Sequence, residues 1–528
     1  MTDVTVVGSG ASAVAAVVEL VARGIRPVVI DVGLRPPAAG APRGQGSLYD
    51  FKAANDSYAL TIGDRQQGLS NLLNPRRVPV KLTTPNAEYI TASAASLSPV
   101  EEQDFCAIQS FAMGGLANAW GAGLYRFTDH DLVDFPIAAA SLTPYFDRLT
   151  SAIGISGVDD DLSPFFGSTD GLLPPVTLSR NTGYLFKAYT RKRRSLSPAI
   201  RLGHARVAAL TVPHDGRVPI SYDNFEFWQE QPGVYSPRFT LERLIAEQKV
   251  DYRAGHLVTR FIDGDDGVSI FATELSTGSE AHFRSRYVLL AAGAINTARI
   301  VLQSRDDHDT RLPLLENPAI QIPFVLPAMI GAPLETRVFG LVQLNLVWES
   351  ETFGELCQAS MMEITSPLRA EFFAGLPYSA RANLSLIRHL LPTMVVMQLF
   401  LPQSPPSAAR MSLGAGNQLR IVGGDTPDPG KTGPLLSFMR RIGAWTLPHL
   451  LVRVPTGHSI HYAGTLPMSN SPGPYECTRD GLLSSTRRVY VGDSASFPRL
   501  PAKNMSFGMM ANAMRIAAIV AARANEEP

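Results

Sequence analysis

Apolar positions change their spacing several times along the chain, and each change marks an element. Residues 3–7 (DVTVV) form a short β-rich run that stops at Gly8-Ser9-Gly10-Ala11-Ser12-Ala13. Alanine and valine then recur as in a buried helix up to Gly24, and a second apolar run, PVVID, ends on Asp31. Strand, glycine turn, helix and strand in that order open a doubly wound α/β sheet. Residues 36–110 lose this periodicity and are rich in Pro, Gly, Ser and Asn, which predicts a loop-like extension. LTPYFDRLTSAIGISG, from Leu142 to Gly157, has a Thr cap, a Pro at the first helical position, an apolar face and terminal glycines, so it predicts a helix.

From Val207 to Trp228 the pattern is of short strands with turns at Asp215-Gly216 and Asp223-Asn224. FTLERLIA predicts a helix, VDYRAGHLVTRFI a strand pair, and Asp263 to Gly267 a hairpin. An apolar strand from Arg286 then runs into Ala291-Ala292-Gly293 and another helix. Between Pro313 and Pro455 the texture becomes alternating apolar runs (GLVQLNLVWE, ASMMEI, PTMVVMQLFL, QLRIV) joined by Pro/Gly loops. That predicts an antiparallel sheet with a covering helix near Gly433 to Leu451. The run from Leu384 to Leu401 is broken by Arg388, His389 and Pro392, so it reads as a buried strand pair or helix and not as a membrane span. No internal repeat is visible. The last stretch, GHSIHYAGTLPM and VYVGDSASFPRLPAKNMSFGMM, leads into one apolar helix reaching Ala524.

The 528 residues imply two to four domains, and the pattern interleaves them. A dinucleotide-binding domain is assembled from residues 1–160, 206–310 and 456–528. A second, substrate-facing domain takes 161–205 and 311–455. Hydrophobic residues make up 45% and charged residues 18%, with 47 basic against 47 acidic side chains, so no charge excess points to nucleic acid or an anionic membrane. The run Arg191-Lys192-Arg193-Arg194 reads as solvated surface. Cys106, Cys357 and Cys477 have neither CxxC nor zinc spacing, so no metal site is expected and the thiols read as reduced, in a cytoplasmic protein. The apolar N-terminus lacks the basic start of a signal peptide, and the glycine pattern explains it better.

Three features carry chemistry. Gly8 permits the tight turn, Gly10 lets a pyrophosphate approach the backbone at the helix N-terminus beside Ala11 and Ser12, and Ala13 permits close helix packing. Asp31, 18 residues after Ala13, stands where a ribose-binding carboxylate belongs. The small-residue string from Ser110 to Gly123, with Gly114, Gly115, Asn118, Ala119 and Trp120, suits close approach of backbone to a planar ligand. Ala292-Gly293 forms a second backbone approach to the dinucleotide. In the final stretch, His461 ahead of Gly464-Thr465, Asp493 after Gly492, and Asn504 before a helix offer a base, a cofactor contact and a polar partner.

In these pieces, in this order, the sequence resembles the glucose-methanol-choline (GMC) flavoprotein oxidoreductases over nearly its whole length. The matching pieces are VVGSGAS with Asp31, FAMGGLANAWGA, LTPYFDRLTSAIGISG, VLLAAGAINTARIVLQS, the H-x-x-G-T from His461 to Thr465, and VYVGDSASFPRLPAKNMSFGMMANAMRIA. The short loops look most like bacterial members acting on sugars and related polyols. The resemblance implies FAD and a roofing antiparallel sheet. It matches His461 to the family's catalytic histidine and Asn504 to the second member of the catalytic pair. It puts Asp493 at the phosphate and ribityl region, Met505 at the start of the helix facing the flavin pyrimidine, and Val258 beside the adenine. Some sugar oxidases of this group attach FAD through a histidine at the position held here by Ala119, so noncovalent FAD is expected.

A neutral imidazole accepts a proton near neutral pH, which makes His461 the expected base for oxidising an alcohol; the Asn504 amide would hold the substrate oxygen. The expected partner is a small alcohol such as a sugar or aminosugar, with oxygen or another electron acceptor. Gln343, Asn345, Glu363 and Gln398 on the roof strands are candidates for reading hydroxyl or amino groups, with solvent exposure the simpler expectation. A flavin-bound lyase using His461 as acid and base, and a noncatalytic binding protein, are the competing readings.

Overall fold

A computed structural model describes residues 2–36, 82, 87–220, 233–364 and 378–526. Its first sheet follows from the N-terminal pattern. Strand β1 (Thr2–Val7) pairs in parallel with β2 (Val28–Ile30) on one side and with Glu280–Leu290 on the other, and Val4 and Val6 are fully buried. Strands buried on both faces read as continuous apolar runs, as here. Helix α1 (Ala11–Ala22) has no polar stripe in its first two turns because it is sandwiched between this sheet and the C-terminal helix Ser506–Glu526.

The strand order is Asp251–Arg253, Val28–Ile30, Thr2–Val7, Glu280–Leu290, Gly267–Glu274, His256–Gly264. The expected strand pair in VDYRAGHLVTRFI is therefore two strands at opposite ends of that order, not partners. Strand Asp251–Arg253 extends the parallel edge, and His256–Gly264 enters a hairpin with Gly267–Glu274. The 11-residue strand Glu280–Leu290 has β1 along one side and divides its other side between two partners. Its beginning pairs antiparallel with Gly267–Glu274, and its end takes Val489–Val491 in parallel, so the last segment of the chain re-enters the sheet across Glu280–Leu290 from β1.

The second sheet has six antiparallel strands in the order Val452–Arg453, Ala319–Val325, Met394–Phe400, Glu355–Glu363, Leu344–Ser350, Ile200–His204. Strand Ile200–His204 comes from the 161–205 segment assigned to this domain. One face buries Leu202, Ile322, Phe324, Leu346, Trp348 and Met397 beneath helices Arg180–Lys192 and Gly433–Arg441. The covering helix is shorter than the sequence suggests, since Gly443 (φ 99°) and the bridge between Val325 and Trp445 take the chain back to the sheet. Residues 191–194 are exposed, as their charge predicts.

Residues 311–455 do not form one sheet. Leu312–Leu314, Ala409–Leu413 and Leu419–Val422 join Val100–Gln103 in a separate four-stranded sheet, and their apolar side chains enter the core of the first domain. The Pro-rich loop PQSPPS ends the roof strand Met394–Phe400 and sends the chain back. The run Leu384 to Leu401 divides at Pro392 into helix Ala380–Leu390, mostly exposed, and that roof strand. Helices Thr143–Ile153, Pro237–Ala246 and Ala294–Ser304 and the turn at Asp215-Gly216 stand where the sequence puts them. Most of the extension in 36–110 and the turn at Asp223-Asn224 lie outside the described residues. Among the described residues no helix is long and apolar enough to cross a membrane, and no group of metal-ligating side chains forms. The three cysteines are free thiols.

Candidate functional site

An elongated cavity, with 260 Å³ open to the centre of a water molecule, runs along the carboxyl ends of β1, β2 and Glu280–Leu290. Ligands of open α/β sheets bind at this edge. Its wall is formed by the turn from Val7 to Ser12, by Asp31 and Val258, by Gly115, Ala119, Trp120, Ala292 and Gly293, and by His461, Tyr462, Met505 and Met509. Segments separated by hundreds of residues thus converge on one groove.

The turn after β1 explains its own glycines. Gly8 has φ 102°, and a Cβ there would stand 2.5 Å from the Ala291 carbonyl oxygen, so only glycine lets β1 pass the second backbone approach so closely. Gly10 precedes α1 with no side-chain cap, leaving the first helical N–H groups to the cavity. The Ser12 hydroxyl, buried on the cavity wall, has no hydrogen-bond partner among the described residues. An orphaned donor at a helix N-terminus suits a phosphate. Asp31 accepts hydrogen bonds from Ser9 and, at 2.9 Å, from the Tyr252 hydroxyl, while desolvation pushes its carboxyl up to about 6.

Two expected cofactor contacts stand behind the wall. The Asn118 amide donates to the Met113 and Gly115 carbonyls at 2.9 Å each and accepts from Ser236 at 2.7 Å, so every polar function of that side chain braces the turn. Gly114 sits against this brace, where a Cβ would meet Asn118 Oδ1 at 2.9 Å. Neither residue lines the cavity. Asp493 does, but its oxygens accept from Gly293 N–H (2.8 Å), Thr297 Oγ1 (2.6 Å) and Ala495 N–H (2.9 Å). Asp493 therefore joins the last segment to Gly293, and burial pushes its carboxyl up to about 6.

His461 is placed by register. Leu315 and Ala463 exchange backbone hydrogen bonds of 2.8 and 2.9 Å as an antiparallel bridge, and two residues further along each strand Asn317 comes opposite His461. His461 Nδ1 lies 2.9 Å from Asn317 Oδ1. Gly464 follows the bridge with φ 74°, where a Cβ would meet the Leu315 side chain at 2.4 Å, which explains the glycine of H-x-x-G-T. Glu316, almost fully buried, holds the loop from the other side, accepting from Gly457 N–H at 2.5 Å and Ser459 Oγ at 3.2 Å. Desolvation pushes the Glu316 carboxyl up to about 8. The Tyr462 hydroxyl donates to the Gly457 carbonyl at 2.6 Å and accepts from Ile108 N–H at 3.0 Å. The Phe400 ring packs 5.1 Å from the His461 ring, so the roof sheet touches the site here.

Asn504 is half-buried beside Gly123. A Cβ at 123 would stand 2.7 Å from Asn504 Nδ2 and 2.8 Å from the Tyr125 hydroxyl. Asn504 Oδ1 is buried with no hydrogen-bond partner among the described residues. Asn504 is not among the cavity-lining residues, whereas Met505 and Ser506, directly after it, are.

The roof residues differ from the expectation of solvent exposure. Gln343 and Asn345 are fully buried. Gln343 Oε1 accepts from Ser179 N–H at 2.8 Å and Thr182 Oγ1 at 2.6 Å, and its Nε2 donates to the Phe339 carbonyl at 2.8 Å. Glu363 accepts from Ser179 Oγ at 2.5 Å and is pushed up to about 7 by burial. Both side chains lock the N-terminus of helix Arg180–Lys192 to the sheet. Asn345 joins Tyr125 and Ser360, and Gln398, half-exposed like Glu363, lies opposite Ser360 and Gln321. Sequence reasoning missed Asn317, Glu316, Tyr252 and Tyr462. The signal for Asn317, Glu316 and Tyr462 is the Leu315 strand end, which required knowing its partner, and Tyr252 follows from the pairing of Asp251–Arg253 with β2.

No protein-family profile and no curated protein matches the chain. Solved structures do. Pyridoxine 4-oxidase from Mesorbium loti superposes with a TM-score of 0.57 at 13% identity, over 98% of each chain. Formate oxidase from Aspergillus oryzae RIB40, in a structure concerned with mutation R554A and FAD modification, superposes with a TM-score of 0.60 at 13% identity, over 99% of each chain. The chain shares its fold with these two proteins over essentially its full length.

Proposed function

We propose that the protein is an FAD-dependent oxidoreductase of the GMC type that oxidises an alcohol group of a small molecule to a carbonyl. The observation that carries this reading is the one groove joining a helix N-terminus suited to phosphate with a histidine whose Nδ1 faces the Asn317 oxygen. The residues present suit FAD. The orphaned Ser12 hydroxyl and the uncapped start of α1 would hold the pyrophosphate, and Asp31 the ribose. The segment from Gly115 to Trp120 and the start of helix Ser506–Glu526 would flank the ring system, where the positive helix end favours negative charge. Ala119 offers no side chain for a covalent link, which supports noncovalent FAD.

Bound FAD would supply the hydride acceptor. The chain's own residues would do the rest. His461 takes the hydroxyl proton at Nε2 while Nδ1–H stays on Asn317, and general-base help of this kind is worth about 100- to 10,000-fold. Asn504 donates from Nδ2 to the substrate oxygen and so orients the carbon. Phe400 and the roof sheet exclude water from the His461 ring.

A sugar, aminosugar or related polyol remains the proposed substrate class, on the sequence resemblance alone, with oxygen or another acceptor reoxidising the flavin. The internal engagement of Gln343, Asn345 and Glu363 removes three of the four polar roof residues as candidates for hydroxyl recognition. The test is anaerobic mixing of the yellow protein with sugars, aminosugars, cyclitols, pyridoxine and simple alcohols. Bleaching by one class supports the reading and names the substrate. A panel that leaves the flavin oxidised while one compound is cleaved supports a lyase instead.

A further inference from the structure

We propose that Asn317 is a positioning residue for both members of the catalytic pair: it fixes the tautomer of His461 and ties the Asn504 segment to the same ring. This rests on the reading of His461 as the base. An asparagine side chain has two N–H donors and one acceptor oxygen. Both donors of Asn317 are committed to carbonyls that can only accept, Leu401 at 2.9 Å and Pro501 at 2.8 Å. Turning the amide over would set Oδ1 against two carbonyl oxygens, so its orientation is fixed by its surroundings. Oδ1 therefore faces His461 Nδ1 at 2.9 Å, and Nδ1 must carry the hydrogen. Asn317 is fully buried, so water does not compete for these bonds. A neutral ring holds one hydrogen, and Nε2 becomes the accepting nitrogen that a base requires.

The two carbonyls extend this control. Pro501 lies three residues before Asn504, and Leu401 follows Phe400, whose ring packs on His461. One amide thus registers the imidazole against the roof strand and against the segment that delivers Asn504. A neutral amide oxygen also differs from a carboxylate in this place. It orients the ring without strongly raising its basicity, so the proton taken from one substrate is readily released.

The test uses full-length flavin-loaded protein with 15N-labelled histidine, His461 being assigned by its loss in His461→Ala. The wild-type ring is expected as the Nδ1–H tautomer in the absence of substrate. Asn317→Leu is expected to lose that preference and slow flavin reduction by roughly 10- to 100-fold. Asn317→Asp keeps an oxygen toward Nδ1 but loses both donors to Leu401 and Pro501, and is expected to keep the Nδ1–H tautomer and restore part of the rate. A wild-type ring protonated at Nε2, or a tautomer unchanged in Asn317→Leu, overturns the proposal. If Asn317→Leu does not fold, a ring that loses the Nδ1–H tautomer in Asn317→Asp overturns it equally. The tautomer is read without substrate, so a ring that responds to Asn317 in a protein that no alcohol reduces sinks the oxidase reading alone.

Discussion

Lys503 Nζ and Asp131 Oδ2 meet at 2.5 Å with both side chains only 2% exposed, one residue before Asn504. The ammonium also donates to the carbonyls of Phe165 at 2.5 Å and Arg126 at 3.1 Å. Burial lowers the Lys503 pKa, and the Asp131 charge opposes that shift. The chain enters its last helix from a point nailed to the first domain.

Lys503→Ala strands the Asp131 carboxylate, and breaking a buried pair from one side costs about 3 to 5 kcal/mol. Replacing both partners, Lys503→Met with Asp131→Leu, is expected to recover most of that loss. Denaturant unfolding of the three proteins checks this, and a single mutant within 1 kcal/mol of wild type, on the order of a surface effect, would count against the pair as an anchor.

Glu316 predicts a pH dependence of stability. Its carboxyl stays protonated in the folded protein up to about 8 against an ordinary 4.5 when unfolded, so the folded state binds the extra proton between those values. The contribution is complete below pH 4.5 and declines as pH rises through 8. Glu316→Gln, neutral at every pH, is expected to lack this decline and to gain on wild type from pH 5 to 8.5, by at most about 3 to 5 kcal/mol. Thermal melting across that range measures it; parallel curves for the two proteins would contradict the prediction.

Ser12→Ala removes a buried hydroxyl that has no partner among the described residues. The flavin-free protein is expected to melt within about 0.5 kcal/mol of wild type, while FAD binding weakens by about tenfold, the worth of one hydrogen bond to a charged group. Equilibrium titration of flavin fluorescence distinguishes this from a purely structural serine, for which stability and binding fall together.

His461→Ala is expected to slow substrate reduction of the flavin by at least about 100-fold while leaving the protein yellow. Stopped-flow absorbance measures the rate and the visible spectrum the retained FAD. Normal reduction in the variant removes His461 from the mechanism.

Motifs with local causes were legible in the sequence. Gly8 and Gly464 turn the backbone at positive φ, 102° and 74°, so a pattern of small residues reports them directly even though the groups that crowd them are distant in sequence. The direction of Gln343 and Glu363 was not legible, because alternation along a strand names a face without saying what packs on it. Asn317 was hidden for a related reason: its partners His461, Leu401 and Pro501 lie on three distant segments. Asn118 lies within a local motif, yet its bracing bonds were not legible there, since a small-residue turn needs a brace as well as a ligand face.

The re-entry of Val489–Val491 beside Glu280–Leu290, with helix Ser506–Glu526 closing over α1, also sets an order of events during synthesis. Until residues 461–526 have been synthesised, α1 lacks the cover of helix Ser506–Glu526 and the groove lacks the wall carrying His461 and Met505. Contacts so remote in sequence form late and leave apolar surface open in the meantime. The part of the groove lined by His461, Met505 and Met509 is therefore completed after the part lined by the turn from Val7 to Ser12 and by Asp31.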